Sequence, residues 1–151
     1  MDSIDPKYEF NGIKIHDSNT ENSDLEKAMD WVIMNNIDNV TILGSTGLRE
    51  DMTLANLYIL FHYYDKISIN LITNHFTITC HKGSQSFNSF IGQIISLFPQ
   101  KPNSVVKTKS LKYLLNNSPI EPPQKGISNQ STGSSFTVEC SDPILVFREH
   151  S

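Results

Sequence analysis

Val40-Thr41-Ile42-Leu43-Gly44-Ser45-Thr46-Gly47-Leu48-Arg49-Glu50-Asp51-Met52-Thr53-Leu54-Ala55-Asn56 is the stretch on which the fold turns. Val40 to Leu43 is a short apolar run, consistent with a buried parallel strand. It runs into a Gly-Ser-Thr-Gly loop, which is turn-prone. A helix over about residues 53–65 follows, with Leu54, Leu57, Tyr58, Phe61 and Tyr64 on one face.

Upstream, residues 12–16 read as a short strand. Ser23-Asp24-Leu25-Glu26 is a capping-box pattern. Leu25, Ala28, Met29, Val32 and Ile33 then recur at helical spacing, which predicts an amphipathic helix over 24–35. Downstream, residues 67–73 read as another strand. Strand–helix–strand–helix–strand is the pattern of an α/β layer with a parallel sheet. Past Asn74 the signals change. Phe76, Ile78 and Cys80 alternate with Thr77 and Thr79, and Gly83, Gly92, Pro99 and Pro102 punctuate short apolar stretches. Val105 to Leu115, Phe136 to Cys140 and Ile144 to Phe147 complete a set of short strands. Residues 116–126 form a Pro-rich connection, too polar and rigid for a strand. The expectation is a partial parallel α/β sheet domain over residues 1–74, followed by an all-β sandwich over 75–151.

The 151 residues carry 12 Lys+Arg against 16 Asp+Glu, a net charge of −4, and 38% of them are hydrophobic. That hydrophobic content excludes a disordered tail. No apolar run reaches the length of a membrane-spanning helix. Met1-Asp2-Ser3-Ile4-Asp5 has no signal-peptide character, so the expected compartment is the cytosol. The acidic balance and the lack of a Lys/Arg cluster argue against nucleic acid as a partner. Cys80 and Cys140 read as buried, reduced thiols, and the histidines show no His-x-x-x-His pair for a catalytic zinc.

Three groups of residues carry candidate chemistry. In the first, Gly44, Thr46 and Gly47 lie where a parallel strand meets a helix, the usual ligand crevice of such sheets. Free N–H groups at a helix start favour anions, and Arg49 adds forked donors that match phosphate oxygens. Asp51 is placed to hold a metal or orient a hydroxyl; as an ordinary turn, the same segment makes Asp51 or Thr53 an N-cap. In the second, Asp2 and Asp24 are carboxylates of the kind that gather around Mg²⁺ bound to phosphates. Asp24 also suits the first turn of a helix on dipole grounds alone. In the third, Ser128-Asn129 follows the Pro-rich loop as a turn, and Tyr113 is either packing or a platform for a flat cationic ring.

In this order, these segments resemble the thiamine pyrophosphokinase family. Gly44 to Asn56 is similar to the family's Gly-x-Thr-Gly-Gly-Arg-x-Asp-His-Thr-Leu-x-Asn, and Asp2-Ser3-Ile4 resembles the end of Gly-Asp-x-Asp-Ser-Ile. Ser23 to Ala28 resembles Thr-Asp-x-x-Lys-Ala, Leu111-Lys112-Tyr113 resembles Gly-Leu-Lys-aromatic, and Ser128-Asn129 resembles a Ser-Asn motif. The resemblance implies an α/β domain, a β-sandwich, and a homodimer with active sites at the interface. It also implies Mg²⁺-dependent pyrophosphoryl transfer from ATP to the hydroxyl of thiamine, releasing AMP. Asp2 and Asp24 would then be metal ligands, and Arg49 and Asp51 would lie beside the phosphates and the reacting hydroxyl. Gly44, Thr46 and Gly47 would line the nucleotide, and Tyr113, Ser128 and Asn129 would contact thiamine.

The departures define an alternative. Leu48 replaces the second Gly of Gly-Gly-Arg, Met52 replaces the His, and Ser110 replaces the Gly before Leu-Lys-aromatic. The sequence also starts inside the Gly-Asp-x-Asp-Ser motif and lacks the preceding Ala-Asp-Gly-Gly segment. That pattern is expected of a fragment or a misplaced start. The alternative is therefore a non-catalytic thiamine-binding or structural piece of the same fold.

Overall fold

The structure, a computed structural model, describes residues 7, 9, 11–13, 15–18, 20–120 and 125–151. The chain divides into two compact units, residues 1–37 and 38–151. Among the described residues no helix is long and apolar enough to cross a membrane.

In the first unit, helix α1 spans Asp24–Met34. The capping box forms as the sequence requires. The Glu26 amide donates to Ser23 Oγ at 3.3 Å, and the Ser23 amide donates to Glu26 Oε2 at 2.8 Å. The helix stops one residue before the expected end. Asn36 takes a left-handed φ of 55°, the Asn36 amide donates to Ile33 O, and the Ile37 amide donates to Val32 O. These two bonds make a Schellman stop with Asn where Gly is usual. The strand expected over 12–16 is absent at Gly12, Ile13, Ile15 and His16; Lys14 lies outside the described residues. Ile13 and Ile15 are exposed, so their alternation has no buried face to set a strand register.

In the second unit, β1 (Asn39–Leu43) and β2 (Ser68–Ile72) pair in parallel, from Asn39↔Ser68 to Leu43↔Ile72, with helix α2 (Glu50–Tyr63) between them. β1 is the sheet edge, and only its Ile42 is buried, so it is not the fully buried strand expected from its apolar run. The face expected of α2 also needs correction. Leu54 and Tyr58 are exposed, while Ile59, Leu60, Phe61 and Tyr63 are buried. The last turns of α2 are apolar on nearly every side, so no single stripe describes them, and they pack against the sheet.

The rest is β. Strands β3 (Phe76–Asn88), β4 (Ile94–Pro99), β5 (Val105–Lys109), β6 (Ser118–Pro119), β7 (Asn129–Gln130) and β8 (Ser135–Glu149) follow. Among the described residues the eight strands form one sheet, with the path β1-β2-β3-β8-β4-β7. The long β3–β8 ladder has a register shift between His81 and Gly83. On one side of the shift β8 pairs with β4; on the other it pairs with β5, which carries β6. The sheet thus folds over itself into two layers. Between them sits a core that includes Phe87, Ile95, Leu97, Val106, Phe136 and Val146. Three expectations change here. Phe136–Cys140 and Ile144–Phe147 are one strand, running through Pro143. The strand expected to reach Leu115 ends at Lys109. Within the Pro-rich connection, Ser118–Pro119 does pair with Val105 and Val106.

Candidate active site

β1 ends at Leu43, and the chain must reverse into α2 within six residues. Gly44 and Gly47 take φ of 67° and 94°, values that a β-carbon disfavours. Leu48, where the family motif has its second Gly, takes 51° and is fully exposed. Two side chains from α2 reach back to fix the loop. The Gly47 amide donates to Thr53 Oγ1 at 3.2 Å, and Thr53 Oγ1 donates to Arg49 O at 3.0 Å. Asn56 Nδ2 donates to Ser45 O at 2.7 Å. Sequence reading assigned neither Thr53 nor Asn56 to the site. Their partners lie four to eleven residues back, in the loop and the helix start, which the apolar periodicity of α2 does not reach. The Thr and Asn of the motif are the signal that pointed to them. Ser45 Oγ is buried in the loop without a hydrogen-bond partner among the described residues.

Arg49 stands at the head of α2 in extended backbone and provides no side-chain cap. Its guanidinium forks onto Asp51, with Nη2 to Oδ2 at 2.6 Å and Nε to Oδ1 at 3.1 Å. The Met52 amide also donates to Asp51 Oδ1, at 2.9 Å. The bond from Arg49, then the one from Met52, holds the Asp51 carboxyl below the usual carboxylate range. Asp51 likewise raises Arg49. Both side chains are exposed, so the pair is weak and exchangeable for a ligand's oxygens.

Asn129 is buried and spends its amide on Tyr113. Its Oδ1 accepts from the Tyr113 amide at 3.0 Å, and its Nδ2 donates to Tyr113 O at 2.7 Å. The Gln130 amide adds a third bond to Oδ1. Asn129 therefore holds the Tyr113 backbone, and the exposed Tyr113 ring is left free beside Lys112 Nζ, 5.5 Å from its centroid. Ser128 is exposed, with φ of 53°, and its amide donates to Ser96 Oγ.

Gly44, Thr46, Gly47, Arg49 and Asp51 thus share one turn, and Tyr113, Ser128 and Asn129 share another place. The register relates the two. Leu43 pairs with Ile72, Ile72 with Thr77, Thr77 with Arg148, Arg148 with Ile95, and Ile95 with Asn129. Both places lie on one row of the sheet, five strand spacings apart, or about 24 Å. Asp24 belongs to the first unit, where its carboxylate is exposed and lies 3.7 Å from Lys27 Nζ. Asp2 lies outside the described residues. Among the described residues no three His, Cys, Asp or Glu side chains converge to hold a metal. Asp24 does fit Mg²⁺ as a single hard oxygen ligand, since among the described residues Lys27 is its one ion-pair partner and most of its lone pairs stay open.

Residues 1–72 match the catalytic domain of thiamin pyrophosphokinase, and residues 74–145 match its vitamin B1 binding domain. The chain belongs to the thiamine pyrophosphokinase family. Its mixed sheet, an α/β part joined to a β-sandwich, is the fold of similar solved structures. One is thiamine pyrophosphokinase from Bacillus subtilis, with TM-score 0.79 and 25% identity over 88% of this chain and 65% of that one. Another is thiamin pyrophosphokinase from Candida albicans, with TM-score 0.70 and 25% identity over 82% of this chain and 51% of that one. A probable thiamine pyrophosphokinase from Staphylococcus saprophyticus gives TM-score 0.70 and 26% identity over 92% of this chain and 67% of that one. The chain therefore spans less than two thirds of the Bacillus subtilis thiamine pyrophosphokinase and about half of the Candida albicans one. No match is found among curated proteins.

Proposed function

We propose that this chain acts as a thiamine pyrophosphokinase, moving a pyrophosphoryl group from ATP to the hydroxyl of thiamine and releasing AMP. The observation that carries this is the β1–α2 turn. It is a glycine-built loop, pinned by Thr53 and Asn56, that sets the exposed, paired side chains of Arg49 and Asp51 at the start of a helix. Such transfer depends on positioning and charge neutralisation more than on covalent help from the protein. The thiamine hydroxyl oxygen bonds to the β-phosphorus as the bond from that phosphorus to the α–β bridging oxygen breaks; AMP leaves with that oxygen, and the hydroxyl proton passes to Asp51 or to solvent.

Arg49 exchanges Asp51 for phosphate oxygens and offsets charge on the transferred group. Asp51, released as Arg49 turns to phosphate, is placed to orient the hydroxyl or to take up its proton. Asp24, together with Asp2, would hold Mg²⁺, which supplies charge neutralisation along the phosphate chain. The Tyr113 ring offers a face to the cationic thiazolium, with Ser128 as a further contact for thiamine. We place the division between nucleotide and thiamine halves near residue 74.

The path of about 24 Å along the sheet between the two places supports a homodimer, in which the hydroxyl of a thiamine held at one chain's Tyr113 meets the turn of the other. A symmetric pair would bring the turn of one copy to the Tyr113 surface of the other. AMP release from ATP, Mg²⁺ and thiamine, followed with a coupled assay, tests the proposal. Arg49→Ala is expected to reduce turnover at least 100-fold, within the range seen when a charge-stabilising donor is removed. Unchanged turnover removes Arg49 from the mechanism. Thiamine binding by calorimetry without AMP release from the unaltered chain selects the non-catalytic alternative.

A further inference from the structure

Leu111-Lys112-Tyr113-Leu114-Leu115 follows β5 outside any strand, yet its backbone is tied down along its length. The Lys112 amide donates to Gln130 O at 2.8 Å, and Asn129 holds both backbone groups of Tyr113. The Leu115 amide donates to Thr108 Oγ1 at 3.0 Å, and the buried Leu111 bridges to Ser131. Lys112 and Tyr113 are both exposed, so two polar-tipped side chains stand next to each other on a fixed backbone. Lys112 Nζ lies over the Tyr113 ring, 5.5 Å from its centroid. Among the described residues Lys112 has no carboxylate partner. Its ammonium therefore rests on the ring that the reading above gives to the thiazolium.

The negative face of an aromatic ring attracts a cation, and two cations on one face repel each other. An ammonium is a compact, strongly hydrated charge, so it gains little from an exposed ring. A flat, delocalised cation both stacks and sheds water more easily, so the thiazolium displaces Lys112. The displaced head cannot go far, because the Lys112 backbone is fixed by Gln130. It stays within one side-chain length of the bound cation, where like charge is unfavourable until negative charge arrives. The hydroxyl of thiamine sits at the end of a two-carbon arm on the thiazolium ring. A pyrophosphoryl group joined to that hydroxyl brings its oxygens within the same reach. Arg49 of the same chain is five strand spacings away along the sheet, so it is not the cation that the product meets at Tyr113 in its own chain.

We propose that Lys112 is a substrate-contacting residue of the thiamine half of the site, an inference that rests on the placing of thiamine at Tyr113. Lys112 yields the ring to the thiazolium and pairs with the pyrophosphoryl group once that group is on the hydroxyl, through charge-assisted hydrogen bonds and no covalent step. It thereby sets the preference of this half-site for the diphosphate ester over thiamine itself. Thiamine and thiamine diphosphate are titrated separately by calorimetry, without added metal, into the full unaltered chain and into its Lys112→Gln and Lys112→Arg variants. Lys112→Gln is expected to weaken thiamine diphosphate about tenfold, the scale of one lost charge-assisted hydrogen bond, and to leave thiamine bound as tightly or severalfold more tightly. Lys112→Arg is expected to keep most of the diphosphate affinity, since a guanidinium also pairs with phosphate oxygens. A merely structural lysine would move both ligands alike, so equal weakening of the two overturns the proposal. So does a diphosphate affinity that Lys112→Gln leaves unchanged; in both cases the unaltered chain still binds thiamine and the Tyr113 reading stands. An unaltered chain that binds neither ligand overturns that reading, and this proposal with it.

Discussion

Leu48 holds a left-handed backbone angle while its side chain packs on nothing. A β-carbon in that region costs about 1–2 kcal/mol, and no contact offsets it here. Leu48→Gly relieves the strain but makes the unfolded chain freer, by about 0.5–1 kcal/mol. The net expectation is a gain of about 1 kcal/mol, read as a higher midpoint in urea; a lower midpoint contradicts the strain. Cys140 is buried and Cys80 partly so, both unpaired, and burial pushes their thiols to about 11 and about 12. At mildly alkaline pH hardly any thiolate forms, so a disulfide reagent should label the native chain slowly and the urea-unfolded chain at once. Rapid stoichiometric labelling without urea would show that the folded thiols are reachable. At this scale the sequence was readable where a residue type has one job, as with the glycines and the forked Arg49. It was unreadable where a side chain's partner is the backbone of another segment, as with Asn56 on Ser45 and Asn129 on Tyr113.

Elements followed the sequence where their signals are local. The capping box placed the start of α1, because Ser23 and Glu26 satisfy each other within one turn. Its end fell one residue short of the expected one, at the Asn35 cap, and Asn36 does the work usually read from Gly. The join in β8 was hidden by Asp142-Pro143, which look like a break. Pro143 needs no donor at a bend, and its carbonyl still accepts from the Gln100 amide. The two-residue β7 was invisible to any pattern, because it exists through its ladder to β4 and through the Asn129 clamp. Asn129→Ala would leave the Tyr113 N–H and C=O without their partner. The expected cost is about 1–3 kcal/mol of unfolding free energy, together with weaker thiamine binding. Unaltered stability would mean that the 111–114 segment is held by other contacts.

For the whole molecule, the order of motifs that resembles the family was legible. The continuity of the sheet was not. Hydrophobic alternation gives each strand a face but says nothing about which strand lies next to it. Only the register shows that the β1–α2 turn and the Tyr113 surface share one row, five strands apart. That separation is why we propose paired chains, each completing the other's site. The most direct measurement is AMP release from an equimolar mixture of Arg49→Ala and Tyr113→Ala chains, unfolded together and refolded to allow exchange. Each parent alone should be inactive. Random pairing leaves half of the dimers mixed, each with one intact site, so the mixture should recover about a quarter of the unaltered activity. A mixture as inactive as its parents, under conditions where the unaltered chain releases AMP, would contradict the shared site.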